Sequence, residues 1–465
     1  MLSEDVLYLP VTELAGRIRR GQLSPVELTE SYLERLERLG PKLGAVATLT
    51  GELALEQARQ AERELAAGRY RGPLHGIPYG AKDLLATRGI RTTWGAPPYK
   101  DQVFDYDGTV IRRLREAGAV LAAKLSMIEL AGGGGYTNGK ASLAPTVNPW
   151  DATRWAGGSS SGPGAATAAA LVGFSMGSET WGSILTPSSF CGVCGLRPTY
   201  GRVSRAGAMA LSWTMDKLGP MCRSADDCGL VLEAIAGYDP DDPSSADAPF
   251  KFEKGDLWRR GLRVGWIRED FEKNGEPELE PLYKNALDAL ARLGAQVSEA
   301  KLPEFPYSAV AGTIISAEGA AAFDTLISSG RIQELVDERQ QKGLAGGVEV
   351  KAADYIKAMR IRRLIQEALG KLFREFDALV APSLLFVANP MEADLNTVFR
   401  GGSGIGAAGN LAGLPALSVP MGFGKGNLPV GLSIVGRAFD EATVLRVGSA
   451  YQQATDWHKR RPPLA

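Results

Sequence analysis

The stretch GGSSSGPGAATAAA, residues 157–170, sets three serines between glycines, and Ser160 lies in a literal G-x-S-x-G. Such a serine is a nucleophile when a sharp strand-to-helix turn exposes it and a downstream histidine takes its proton. The preceding segment NPWDATRWAG, with Pro149, Asp151 and Gly157, does not read as a strand, and His458 lies in the charged tail TDWHKRRPP. A phosphate-cradling loop fares no better. The G-K-[ST] ending is missing, so no lysine would reach a nucleotide's phosphates. Taken alone, these serines read as a Gly-Ser turn before an Ala-rich helix starting near Ala165.

Two further residues change that weighting. Ser183 follows the Ala-rich segment in GSETWGSI, and Lys82 lies in HGIPYGAKDLL. A serine hydroxyl needs a base, and with only two histidines in the chain a buried neutral lysine is the alternative. Burial lowers a lysine's pKa from about 10.4, by several units in strong cases. Lys82 sits among Ile77, Tyr79, Ala81, Leu84 and Leu85, an apolar setting for a charge. The competing reading is a surface salt bridge with Asp83.

The composition leaves room for a large core and excludes several classes. The chain has 465 residues, 45% of them apolar, and a net charge of −1 with both signs interspersed. No basic patch of the kind that grips nucleic acid stands out. The N-terminus MLSEDVLYLP lacks a basic leader, and the longest apolar run, AATAAALVGFSMG, is too short to span a bilayer. The expectation is a soluble, cytoplasmic protein. Of the four cysteines, Cys191 and Cys194 form a C-x-x-C, while Cys222 and Cys228 follow without histidines at zinc-ligand spacing. A redox pair stays open, but small buried thiols in a Gly-rich segment are preferred.

Elements to position these residues are legible in part. LSPVELTESYLERLERLG predicts a helix with Ser24 as N-cap, Pro25 at its first position, Glu27 completing a capping box, and an apolar stripe of Leu28, Tyr32, Leu33 and Leu36. Gly40 is expected to end it. A second helix is expected over 52–67. TVIRRLREAGAVLAAKLS reads as helix, glycine, strand, with Val110, Leu114 and Ala117 facing inward. LRVGWI followed by LEPLYKNALDALARLGAQVSEAKL reads as strand, helix, strand. FDALVAPSL, LPALSVPMGF and VGLSIVG are further strands. The alternation predicts an α/β fold with helices on both faces of a mixed sheet. Residues 236–260, rich in Pro and Asp, are expected to form a surface excursion.

The sequence resembles the amidase signature family over nearly its whole length. The resemblance runs from HGIPYGAKDLLATRGIRTTWGA through NPWDATRWAGGSSSG and GSETWGSILTPSSFCGVCGLRPTYGRVSRAGAMALSWTMDKLGP to NLAGLPALSVPMGF, LPVGLSIVGRAFDEATVLRV and ATDWHKRRPP. It implies one amidase domain over 1–465: a helical layer over 1–70, the signature core over 71–235, the excursion over 236–260, and the rest of a twisted mixed sheet and its helices over 261–465. It also implies a Ser–cis-Ser–Lys unit. By motif position Lys82 is the base, Ser159 the bridging serine after a cis peptide, Ser183 the nucleophile and Ser160 a support for the lysine. The amides of Thr180, Trp181, Gly182 and Ser183 would form the oxyanion hole.

Departures bear on the substrate. Where the family often has D-x-G-G-S-x-R, this chain has E-T-W-G-S-I-L, so Trp181 replaces a glycine and Leu185 an arginine. Gly133, Gly134 and Tyr136 would lie on the acyl-binding side, with Trp181 and Leu185 in the pocket. The leading expectation is therefore a free-standing amidohydrolase of a neutral or apolar amide, carbamate or ester. It would need no cofactor or metal and would have no nucleic-acid or membrane partner, acting as a monomer or homodimer. The tail and the AADYIKAMRIRRLIQ helix look more like free-standing members. The alternative is a glutaminase-type A subunit of a tRNA-dependent amidotransferase, which GRVSRAG resembles closely.

Overall fold

Most of the apolar runs too short for helices pair as strands, and thirteen strands form among the described residues. They are β1 (Val46–Leu49), β2 (Pro78–Lys82), β3 (Val120–Leu125), β4 (Val147–Asn148), β5 (Asp151–Trp155), β6 (Phe174–Glu179), β7 (Cys194–Arg197), β8 (Lys217–Cys222), β9 (Arg263–Ile267), β10 (Gln296–Ala300), β11 (Ala378–Pro382), β12 (Ala416–Gly424) and β13 (Leu428–Val435). This computed structural model describes residues 2–132, 145–253, 261–268, 275–394, 398 and 404–464. Eleven strands form one sheet in the order β1-β3-β2-β6-β8-β7-β12-β13-β11-β9-β10, while β4 and β5 pair separately. β2 runs parallel to β3 and β6, and β9 parallel to β10 and β11; the other pairs in the large sheet are antiparallel.

The sheet is covered on both faces. Along β3, Leu121 joins one buried cluster while Val120 and Ala122 join another; along β11, Ala378 and Val380 point into one cluster and Leu379 and Ala381 into a third. Side chains alternate across a strand, so adjacent residues in different apolar clusters mark two packed faces. The single α/β unit with a mixed sheet and helices expected from the sequence is what forms. No helix among the described residues is long and apolar enough to cross a membrane.

Two local expectations need correction. The first long helix spans Pro25–Leu43 and passes through Gly40; it ends at Gly44, which adopts φ 60°. Gly40 has a different job. A Cβ there would lie 2.7 Å from Val46 Cγ2, so the glycine lets the helix lie close to β1. The segment before the serine run does contain strand, β5, paired with β4. The Pro- and Asp-rich stretch after residue 235 is anchored by its acids where it is described. Asp239 accepts hydrogen bonds from Thr109 and Ser204, and Asp242 from the Arg205 amide at 2.7 Å.

At the start of the first long helix, Ser24 Oγ accepts from the Val26 and Glu27 amides at 3.1 and 3.2 Å. Replacing Ser24 by Ala is expected to lower stability by about 1 kcal/mol. A shift of the urea unfolding midpoint to lower concentration measures it.

Candidate active site

β2 and β6 run parallel, so their last residues, Lys82 and Glu179, reach the same edge of the sheet. The carboxyl ends of parallel strands are where open α/β sheets place ligands. Lys82 is wholly buried. Its Nζ lies 2.7 Å from Ser159 Oγ, 3.0 Å from Ser160 Oγ and 2.9 Å from Ser178 Oγ, and it has no carboxylate partner among the described residues. Burial pushes the ammonium pKa down to about 7, opposed by the charges of Asp216 and Glu179. The surface salt bridge with Asp83 does not form. Asp83 is itself buried, paired with Lys124 at 3.2 Å and bonded by the Thr93 amide at 2.9 Å.

The serine run turns around this lysine. The Gly158–Ser159 peptide is cis, and the Ser159 carbonyl accepts from the Ile128 amide at 3.2 Å. Gly158 lies tight against its neighbours: a Cβ would lie 1.9 Å from Ile128 Cδ1, so any side chain there requires Ile128 to shift. Ser160 has no exposed surface. Its hydroxyl donates to the Ser178 carbonyl at 3.1 Å and accepts from the Ser178 amide at 3.2 Å. A nucleophile elbow at Ser160 is thereby excluded, since the hydroxyl is enclosed and β5 stops five positions earlier. His458 sits apart, in a groove with Tyr8, Trp150 and Arg223.

Ser178 is the member of this cluster that sequence reasoning missed. Its signal was a polar side chain near the end of the apolar strand FSMGSE, a place where an unpaired hydroxyl would be costly.

Ser183 joins through its backbone, its carbonyl accepting from the Ser160 amide at 3.2 Å. It lies in the turn 180–183, which is tied at both ends. On one side, Thr180 Oγ1 donates to Asp216 at 2.5 Å and the Thr180 carbonyl accepts from Lys217 Nζ at 3.2 Å. On the other, Glu179 Oε2 accepts from the Ile184 and Leu185 amides at 2.9 and 3.0 Å. Glu179 Oε1 accepts from Arg197 at 3.0 Å and Asn410 at 3.0 Å. Burial alone would raise the Glu179 carboxyl, but the Arg197 and Lys217 charges and the two amides outweigh it and hold the pKa at about 2. Between the ties, Gly182 takes φ 85°. The amides of Thr180, Trp181, Gly182 and Ser183 donate to no other described residue. Free amides beside a serine hydroxyl can stabilise an oxyanion.

The cleft over Ser178 and Thr180 is lined by Leu84, Ala131, Met209, Leu211, Trp213 and Leu218, with Arg205 and Asp216 among its charged members. Trp181 and Leu185 are not part of that lining. Leu185 is buried with Met215, Ile405 and Ala408, and Trp181 packs against the same cluster. The reason is register: with its amide held by Glu179, Leu185 opens the helix Leu185–Cys191, whose residues are all buried. Gly133, Gly134 and Tyr136 lie outside the described residues. The four cysteines are buried and unpaired, and burial raises each thiol's pKa. No set of three or more metal-ligating side chains occurs among the described residues.

A doubly covered α/β sheet with a lysine and serine hydroxyls at its carboxyl edge defines an amide-bond enzyme of the amidase type. The chain belongs to the amidase signature family: the sequence model described as Amidase matches residues 27–445. It is 39% identical over 497 aligned residues to the A subunit of glutamyl-tRNA(Gln) amidotransferase from Moorella thermoacetica, covering 99% of each chain. It is 40% identical over 489 residues to the protein of the same name from Chloroflexus aggregans, again covering 99% of each. Among solved structures it resembles the peptide amidase of Stenotrophomonas maltophilia, with 34% identity, 98% coverage of both chains and a TM-score of 0.85.

These relatives correct two expectations. A free-standing hydrolase of small neutral amides or carbamates is not what the amidotransferase relatives support. Nor is a protein whose partners exclude both nucleic acid and other subunits, because those relatives are named as subunits of an amidotransferase of glutamyl-tRNA(Gln).

Glu179 and Arg197 are both wholly buried and pair at 3.0 Å. Glu179→Gln leaves the guanidinium without its counter-charge. The expected loss is about 3 kcal/mol of stability, read as a lower chemical-denaturation midpoint.

Proposed function

We propose that this chain is the amide-cleaving component of a tRNA-dependent amidotransferase. It would release ammonia from the side-chain amide of glutamine and pass it to partner subunits that act on aminoacylated tRNA in the cytoplasm. The observation that carries this reading is the 39% identity over 99% of both chains with an amidotransferase relative of that kind. The whole chain would act as one unit.

The chemistry proposed uses Ser183, Ser159 and Lys82. Ser183 Oγ attacks the carboxamide carbon, while Ser159 takes its proton and gives its own to Lys82 Nζ. The oxyanion that forms is held by the amides of the turn 180–183. Lys82 then returns a proton through Ser159 to the amide nitrogen; the C–N bond breaks and ammonia leaves, because a protonated nitrogen is a far better leaving group than an amide anion. Water hydrolyses the Ser183 ester to glutamate and restores the hydroxyl. Ser160 and Ser178 support the lysine. A neutral amine has two N–H groups and one lone pair, which matches three hydroxyl neighbours.

The test is ammonia release from glutamine by the chain with its partner subunits, alongside Ser183→Ala. The variant is expected to lose roughly 1,000-fold or more. Full turnover in the variant, or cleavage of small amides by the chain alone with glutamine untouched in the complex, would sink the reading. A base must be unprotonated, so kcat/KM is expected to fall as pH drops below about 7 and to level off above it. A profile flat from pH 5 to 9, checked against roughly that range, would remove Lys82 from the role.

A further inference from the structure

The enclosed charges around Lys82 can be matched one by one. Asp83 pairs with Lys124, Glu179 with Arg197, and Arg205 faces Asp242 at 3.7 Å. Arg362 gives its guanidinium to the Leu411 carbonyl and to Thr214, and the charge of Glu318 opposes its burial. Asp216 and Lys217, consecutive in sequence and both buried, have no ion pair within 4 Å among the described residues. Asp216 accepts from Thr180 Oγ1 at 2.5 Å and from the Leu211 and Ser212 amides at 2.8 and 2.9 Å, bonds that favour a carboxylate. Lys217 Nζ donates to the Thr180 carbonyl at 3.2 Å and to Asn410 Oδ1 at 2.9 Å, and Asn410 Nδ2 donates onward to Glu179.

We propose that Lys217 is a positioning residue with two effects. It pins the Thr180 carbonyl at the head of the nucleophile turn, and it supplies the buried cation that balances Asp216, so that Lys82 stays the uncharged amine of the site. Glu179 then faces Arg197 and Asp216 faces Lys217, so neither acid acts on Lys82 alone. Burial pushes the Lys217 ammonium down and the Asp216 carboxyl up; the Asp216 charge resists the first shift, while the Thr180 hydroxyl, the Leu211 and Ser212 amides and the Arg205 charge resist the second. Asp216 and Glu179 both favour a protonated Lys82; Glu179 keeps Arg197, so removing Lys217 strengthens the pull of Asp216. The sequence placed Lys217 only in the motif TMDKLGP and gave it no role.

This rests on Lys82 as the base, but its test does not depend on turnover. Lysine side-chain NMR on the full chain follows the Lys82 signal, assigned by its loss in Lys82→Met. In Lys217→Met the Lys82 midpoint is expected to rise by about 1 unit or more. In Asp216→Asn it should fall, and in the double variant it should return close to the starting value. A Lys217→Met midpoint at or below that of the unaltered chain overturns the proposal. If Lys217→Met does not fold, Asp216→Asn carries the test, and an unchanged or raised midpoint there overturns it. A merely structural role for Lys217 would lower activity without moving the midpoint. The reading of Lys82 as base fails separately, if Lys82→Met keeps its turnover.

Discussion

An amine buried without a counter-ion is the constraint on which the rest of the site depends. Lys82 is enclosed at the end of β2 with three hydroxyls around Nζ and no carboxylate among its bonded partners. A charge in that position would be costly unless paired, so the group sheds its proton near neutrality. The surrounding features keep it that way. Asp83, the acid next to it in sequence, is occupied by Lys124 and Thr93. Glu179, at the end of the neighbouring strand, is occupied by Arg197, Asn410 and two amides. The site holds several acids close to a lysine and gives each of them another partner.

The same bonds that occupy those charges also shape the nucleophile turn. Glu179 cannot satisfy Arg197 and the amides of Ile184 and Leu185 unless the chain reverses between 179 and 184, which a glycine with positive φ at 182 permits. Once Ile184 and Leu185 are held, the amides of the four residues before them have no partner among the described residues. Their freedom follows from how the turn is anchored and needs no separate device. The departures at Trp181 and Leu185 then have a plain packing meaning. Leu185 enters an apolar cluster beneath the helix it begins, and Trp181 covers that cluster from the turn. Neither side chain lines the cleft over Ser178. The expectation of a neutral or apolar amide is overturned by the amidotransferase relatives.

Much of the frame was legible. The capped helix from Pro25, the helix–strand unit ending in β3, the β9–helix–β10 unit and strands β11 to β13 all follow from periodicity and caps. Strands β6 to β8 were not marked out because their residues mix glycine, serine, cysteine and proline. They are strands because neighbours on both sides complete their ladders, a fact about the sheet and not about FSMGSE, CGLR or KLGPMC. β5 was missed because its residues are partly exposed and polar; β4 and the distant segment around Pro390 pair with it. Gly40 misled because helix-ending glycines and close-contact glycines look alike in a sequence.

What the sequence determined by itself was chemical type and order: a lysine in an apolar run, a Gly-Ser stretch and a later serine, in the motif order of an amidase. Those assignments depend only on side-chain identity and spacing. The tertiary structure alone decided which hydroxyls reach Lys82, Ser178 among them, and which partners occupy the acids around it: Lys124 for Asp83, and Arg197 and Asn410, 18 and 231 positions away, for Glu179. Protonation in a protein interior depends on desolvation and on the sum of nearby charges. Both are properties of position in space, which no local stretch of sequence records.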